Sequence, residues 1–401
     1  MEKIQNPKHP TQITHYSLSR LLERASYYGL RSLVILYMVG ETLHMEDDEA
    51  FSIYGWFTGS LIFSQIIGAF MGDLLIGNRK AILLGGILQA IGAFCLSLPS
   101  LFGLYVGLFL VVLGSGFFTP NIISNFGKLY LNNSKLLDSG YTIFYLAVNL
   151  GSFLGVLFMG YLNEKVSYRS GFIIAGIMML LSLTPILISK EKTIHQLVKS
   201  NSSIVKRILN ILIAFFAIGL FWGVYESSGI RIFNLQFQFK EISSFYLSEY
   251  LWESMNSVFI FPISLIAIVV WTYVYSHPFF KLMLGFIFGI IALGILFLIP
   301  EIPTEQHVIT YLVSLFFLGV SEIHIAPVIY SILTKYTNPK YLAIMVSLAF
   351  IPTRLFHIIF SVFNDKFYEN PLLPLKIGIF AMTCVLIGII SYLLFTKKPS
   401  R

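Results

Sequence analysis

Ser19-Arg20-Leu21-Leu22-Glu23-Arg24-Ala25-Ser26-Tyr27-Tyr28-Gly29-Leu30-Arg31 decides how this 401-residue chain is read. The stretch continues into Leu33, Val34, Ile35, Leu36 and Tyr37, so it sits inside an apolar run of membrane-spanning length. Charged side chains in a spanning helix cost about 2.5–3.5 kcal/mol each near the bilayer centre, and they persist where they face a polar cavity and find partners. At helical spacing Arg20, Arg24 and Arg31 fall on one face with Tyr27 and Tyr28 between them, and Glu23 lies one turn from Arg20. The expectation is a cationic, aromatic-lined stripe turned to the interior of a helix bundle. The competing reading, a short interfacial helix, does not fit the length of the apolar run that follows.

The composition agrees. Apolar residues make up 56% of the chain and charged residues 12%, against about 25% charged in a soluble domain. Apolar runs near 17–41, 51–73, 80–98, 101–126, 139–162, 170–189, 207–232, 246–274, 278–300, 306–335, 341–364 and 373–396 predict an all-α polytopic membrane protein with 12 spans. The longest polar interruption, Lys190 to Arg207, divides them into an N-terminal six-helix bundle (1–189), a cytoplasmic linker (190–206) and a C-terminal six-helix bundle (207–401). Of the 27 Lys and Arg, 17 fall in segments on the side of the termini, Lys128 and Lys281 among them, and five fall on the other side. The positive-inside rule then puts both termini in the cytoplasm. The first 15 residues lack the apolar core of a cleavable leader. Cys95 and Cys384 lie in apolar runs and read as small core hydrophobes. The net charge of +7 comes from basic loops rather than from a nucleic-acid surface. No metal-ligand cluster, nucleophile–base pair or phosphate loop stands out, so neither an enzyme nor a cofactor is expected.

Five motifs occur in order. Glu23-Arg24-Ala25-Ser26-Tyr27-Tyr28-Gly29 in the first span resembles E-x-x-E-R-F-x-Y-Y-G of the proton-dependent oligopeptide transporter family, with Arg20 at the first Glu and Ala25 at the Phe. Asp138 to Tyr145, followed by Asn149-Leu150-Gly151-Ser152, resembles the signature of its fifth span. Phe221-Trp222-Gly223-Val224-Tyr225-Glu226 resembles the F-W-x-x-x-E-Q of its seventh, with Ser227 for Gln. Glu253-Ser254-Met255-Asn256 resembles the Q-S-x-N-P of its eighth, with Glu253 for Gln and Ser257 for Pro. Ser321-Glu322-Ile323 to Pro327, then Thr334-Lys335, resembles its tenth. Gly114 to Asn121 matches the fourth-span pattern G-x-G-x-x-K-P-N except that Thr119 replaces the Lys. Gly72-Asp73 with Gly77-Asn78-Arg79-Lys80 resembles the loop motif of the wider superfamily, with Leu74 where an Arg is usual. The chain leaves no room between its halves for the two extra helices that many bacterial members carry.

The resemblance implies the major facilitator superfamily fold and symport of di- or tripeptides or similar small zwitterions with protons by alternating access. The implied setting is a bacterial inner membrane, with the lipid bilayer, protons and peptide as partners, no nucleic acid, and a monomeric carrier. Charge bookkeeping points the same way. Arg20, Glu23, Arg24 and Arg31 leave the first half at +2, whereas Glu226, Glu253, Glu322 and Arg354 leave the second at −2. Two oppositely charged walls suit a guest with separated ends. Arg24, Tyr27, Tyr28, Arg31, Tyr145, Asn149, Trp222, Asn256 and Glu322 are the expected substrate residues. Glu226 is the first choice for the proton carrier, paired with Arg31 in one state, and Glu23, Glu253 and Arg20 are the other coupling candidates. Asp73, Arg79 and Lys80 are expected to act in gating, with Asp73 capping a neighbouring helix or pairing with a basic residue. His324 reads as packing, while Arg354 and His357 lie one turn apart. The departures at Arg20 and Thr119 keep a second reading open: an exporter or antiporter of another organic ion or drug with altered proton coupling. A sensor or an intramembrane enzyme ranks behind both.

Overall fold

The structure is a computed structural model, and it describes residues 2–40, 42–165, 167–189, 203–242 and 255–396. Apolar runs that must satisfy their own backbone become helices: α1 Ile13–Val39, α2 Asp47–Phe70, α3 Asn78–Leu96, α4 Leu101–Lys128, α5 Leu137–Lys165 and α6 Tyr168–Ile188. The second half gives α7 Ile204–Ile242, α8 Met255–Tyr273, α9 Pro278–Leu296, α10 His307–Tyr336, α11 Leu342–Leu348, α12 Phe350–Ser361, α13 Asn364–Glu369 and α14 Leu373–Thr396. Ser100 and Ser167 cap α4 and α6 by accepting the N–H of Gly103 and of Ser170. A π turn, Met71–Ile76, extends α2, and Gly77 at φ 85° turns the chain into α3.

Ten described segments are long and apolar enough to cross a membrane. With α1 and its four charges, and with α8, the count reaches the expected 12. Within the first six helices α1 packs on α5 and α6, α3 on α4 and α6, and α2 on α4. Within the second set α7 packs on α10, α12 and α14, α9 on α10 and α14, and α8 on α10. Between the sets, α5 meets α8 and α10, and α11 meets α2 and α4. Close approach of α1 to α5 depends on Gly155, where a Cβ would collide with the Ala25 carbonyl.

Three expected spans differ. The seventh runs on to Ile242 because Arg231, Leu235 and Phe239 keep one buried face beyond the apolar run. The eleventh is two pieces, α11 and α12, breaking at Ala349. Pro352 lacks the N–H that would bond to the Leu348 carbonyl. The eighth is described only from Met255, so Glu253 lies outside the described residues, as do 190–202 of the expected linker.

Candidate functional site

The charged face of α1 meets α4 and α5. Glu23 is fully buried and accepts hydrogen bonds from Arg20 Nη1 at 2.9 Å and from Arg24 Nε and Nη2 at 2.7 and 2.5 Å. Thr119 on α4 accepts from Arg20 Nη1 at 3.1 Å and from Arg24 Nη2 at 3.5 Å. Arg24 lies over Tyr27 at 4.6 Å and Tyr28 at 5.6 Å, and Arg20 lies 6.0 Å from the Phe144 ring. Two guanidiniums on one carboxylate leave the cluster with one positive charge. An ammonium at position 119 would add another in the same dry space. The two departures from the family pattern therefore compensate: Arg20 brings the positive charge, and Thr119 offers it an acceptor.

Across the bundle interface Glu322 on α10 is buried, and the Tyr145 hydroxyl on α5 donates to its Oε1 at 2.5 Å. Ser321 fixes that turn by donating to the Gly285 carbonyl of α9 at 2.7 Å. Further along α10, Tyr330 comes within electrostatic reach of Arg20 and Arg24. The substrate residues expected from sequence are therefore distributed over both bundles. Asn149 donates back to the Tyr145 carbonyl at 3.0 Å, and Trp222 packs edge-on against Phe221 and Tyr225. Asn256 lies in the first turn of α8. His324 packs as expected, edge-on to Trp271 with Nδ1 on the Val320 carbonyl.

The expected contact between Arg31 and Glu226 is not formed. Each is held within its own bundle: Arg31 Nε donates to the Tyr54 hydroxyl of α2 at 2.6 Å, and Glu226 meets Nδ1 of His357 of α12.

On the side of the termini the bundles are tied directly. Asp73 Oδ2 accepts the Ile344 N–H at 2.9 Å, so it caps the first turn of α11. Its Oδ1 accepts from Asn78 at 2.8 Å and lies 3.8 Å from Lys128 Nζ. Arg79 instead donates to the Ile186 and Leu187 carbonyls at the end of α6, and Lys80 is exposed. Asp138 at the start of α5 pairs with Lys281 of α9 and accepts from Ser331 of α10, while Lys281 lies 4.4 Å from the Trp271 ring. Tyr141 of α5 and Thr334 of α10 share a hydrogen bond of 2.7 Å.

Counting Lys128 and Lys281 as loop charges is thus corrected. Lys281 is fully buried, and Lys128 is only 16% exposed. The missed signal was Lys281 opening an apolar run, with an acidic residue, Asp138, opening another. Among the described residues no group of three His, Cys, Asp or Glu is arranged to hold a metal ion.

The Major Facilitator Superfamily model matches residues 17–360. The chain is 33% identical over 192 residues to the uncharacterized transporter YclF of Bacillus subtilis, covering 46% of this chain and 39% of that protein. It is 34% identical over 182 residues to the peptide transporter YePEPT of Yersinia enterocolitica, covering 44% of this chain and 36% of that protein. The matched stretches thus span under two fifths of those relatives. A POT family transporter solved with 5-aminolevulinic acid superposes with a TM-score of 0.66 at 23% identity, covering 98% of this chain and 97% of that one. That likeness is one of fold. The chain belongs to the major facilitator superfamily.

Proposed function

We propose that the chain is a secondary active transporter that carries di- or tripeptides, or similar small zwitterions, inward with protons across a bacterial inner membrane, as a monomer with both termini cytoplasmic. The single observation that carries this reading is the placement of opposite charges on facing bundles. Guanidiniums crowd one face of α1, and the Glu322 carboxylate stands on α10 beside Tyr145. Tyr330, near Arg20 and Arg24, is eight residues from Glu322, about 12 Å along a helix. An extended tripeptide spans at most about 10 Å, and side chains reach across the remainder. The substrate carboxylate is read against Arg24 and Arg31 and its ammonium against Glu322 and Asn256, with Tyr27, Tyr28, Asn149 and Trp222 as further wall residues.

Alternating access supplies the cycle. The ties at Asp73, Asp138 and Tyr141 close the terminus side in this state, and they must part for release. Asp73 is read as the latch there. Arg79 braces the neighbouring end of α6 rather than the latch, and Lys80 lies outside it.

A thermal-shift screen of purified protein with free peptides, amino acids and peptides blocked at either end tests the proposal. Free di- and tripeptides should stabilise the protein, by about 2.7 kcal/mol at a hundred times Kd. Blocking either terminus should remove most of the shift, and equal stabilisation by blocked peptides would refute the two-wall reading. Uptake into proteoliposomes driven by an inward proton gradient then separates symport from export or antiport.

A further inference from the structure

We infer that His357 and Glu226 act as one proton-carrying unit, His357 being a second titrating residue of the coupling step; the inference rests on the function proposed above. Glu23, the acidic member of the first-span motif, is committed elsewhere. Both its oxygens are bound by two guanidiniums and it has no exposed surface. A proton arriving there would have to displace Arg donors in a dry site, so Glu23 serves as the fixed counter-ion of Arg20 and Arg24.

Glu226 and His357 differ in every one of these respects. Their side chains are 44% and 46% exposed, so the pair is not sealed inside protein as Glu23 is. They pair with each other and with no permanent cation among the contacts described. The backbone sets the pair up. Gly219 and Gly223 on α7 let Pro352 and Phe356 of α12 pack closely, and the break at Ala349 leaves α12 a separate piece laid along α7.

The charge balance then gives coupling. With one proton the pair is imidazolium and carboxylate, and its net charge is zero. Without it the pair is neutral imidazole and carboxylate, and its net charge is −1. Closing the cavity over a net charge in low dielectric is costly, whereas a neutral hydrogen-bonded pair is tolerated. With peptide bound, its carboxylate engages Arg31, so the unit crosses in its protonated form, taking one proton from water on the open side and releasing it on the other; the empty carrier returns without that proton, Arg31 then answering the Glu226 carboxylate, and nothing is oxidised or reduced. The elements packed on α7 carry further charged or imidazole groups: Arg354 on α12 itself, His307, Glu322, His324 and Lys335 on α10, Asp365, Lys366 and Glu369 on α13, and Lys376 on α14.

Two measurements test the unit. The first needs no substrate: infrared titration of purified protein, following the carboxylate band that disappears in Glu226→Gln. In His357→Gln that carboxylate loses its imidazole partner, and its band should respond to pH differently from that of the unaltered protein. An unchanged titration overturns the inference whatever the protein carries. The second is peptide transport in proteoliposomes. His357→Arg holds a permanent cation beside Glu226, so accumulation driven by a pH gradient should be lost to a greater degree than peptide exchange. In His357→Gln the pH midpoint of uptake should move toward acid. Gradient-driven accumulation by His357→Arg equal to that of the unaltered protein overturns the inference. Failure of the unaltered protein to move any peptide would refute the proposed function instead, leaving the infrared titration to decide the pair.

Discussion

The two ends of the molecule are held by opposite kinds of contact. At the terminus end the ties run from bundle to bundle and are dry: Asp138 is 2% exposed, Lys281 is fully buried, and Asp73 caps a helix of the other half. At the far end the polar contacts among the described residues stay within a bundle. Arg31 bonds to Tyr54 in the first, and the half-exposed Glu226 and His357 pair in the second. A buried pair gains little net energy over an apolar packing, because both ions lose water, but leaving one partner alone is severe. The dry ties therefore specify which faces meet, while the contacts within a bundle can be exchanged without stranding a fully buried charge.

The sharpest way to break this contrast is to orphan a dry charge. Asp138→Ala leaves Lys281 buried without its carboxylate and should cost about 3–5 kcal/mol. The readouts are thermal unfolding and alkylation of Thr334→Cys, made in a background lacking Cys95 and Cys384, which should become reactive as the terminus side opens. Combining Asp138→Leu with Lys281→Met should recover much of the loss, since an apolar pair no longer strands a charge. A double variant as unstable as the single one would mean that the pair contributes more than register. Asp73→Ala should follow at about 1–3 kcal/mol, because it removes the acceptor of the Ile344 N–H. Asp73→Asn keeps an acceptor oxygen and should fall between. Tyr54→Phe removes one hydrogen bond inside a single bundle, about 0.5–1.5 kcal/mol, and should leave the reactivity of Thr334→Cys unchanged.

How much of this was legible in the sequence follows from which residues are read locally. The spans, the charged face of α1 and the pairing of Arg20 with Glu23 are short-range consequences of apolar length and helical spacing, and the structure contains each of them. The motif residues Glu322 and Tyr145 were legible as candidates, but not as partners, because they are 177 residues apart. Lys281 was misread for the same reason. Hydropathy places it at a span edge, and only its distant partner Asp138 makes burial tolerable. The break in the eleventh span carried a local signal, Pro352, that a window of apolar residues averages away.

The smallest expected effect concerns the chain before α1, which adds a light strap to the dry end. Glu2 and Lys3 form a short strand, β1, antiparallel to β2 at Val274 and Tyr275, and the Ile4 N–H bonds to the Tyr273 carbonyl at 2.9 Å. His9 bridges the Tyr130 hydroxyl at 2.9 Å and Thr272 at 3.2 Å, joining the turn after α4 to α8. Burial pushes the His9 imidazole down from its ordinary value, and burial, helped by Lys335, pushes His277 beside β2 down to about 4. A lowered histidine means that the tied form prefers the neutral ring. The contribution is therefore fully present above the ordinary value of 6.5 and is lost as pH falls from there toward 4. The exposed pair of Glu2 with Lys135 adds about 0–1 kcal/mol, too little to hold a two-residue strand by itself. Hydrogen exchange of residues 2–9, corrected for the intrinsic pH dependence, should thus show protection at about pH 7.5 that declines by about pH 5. His9→Gln should flatten part of that decline, because an amide can bridge the same hydroxyls without titrating. Protection that holds steady through that window would mean that the strap is fastened by its backbone alone, and that acid loosens the dry end, if at all, through its buried carboxylates.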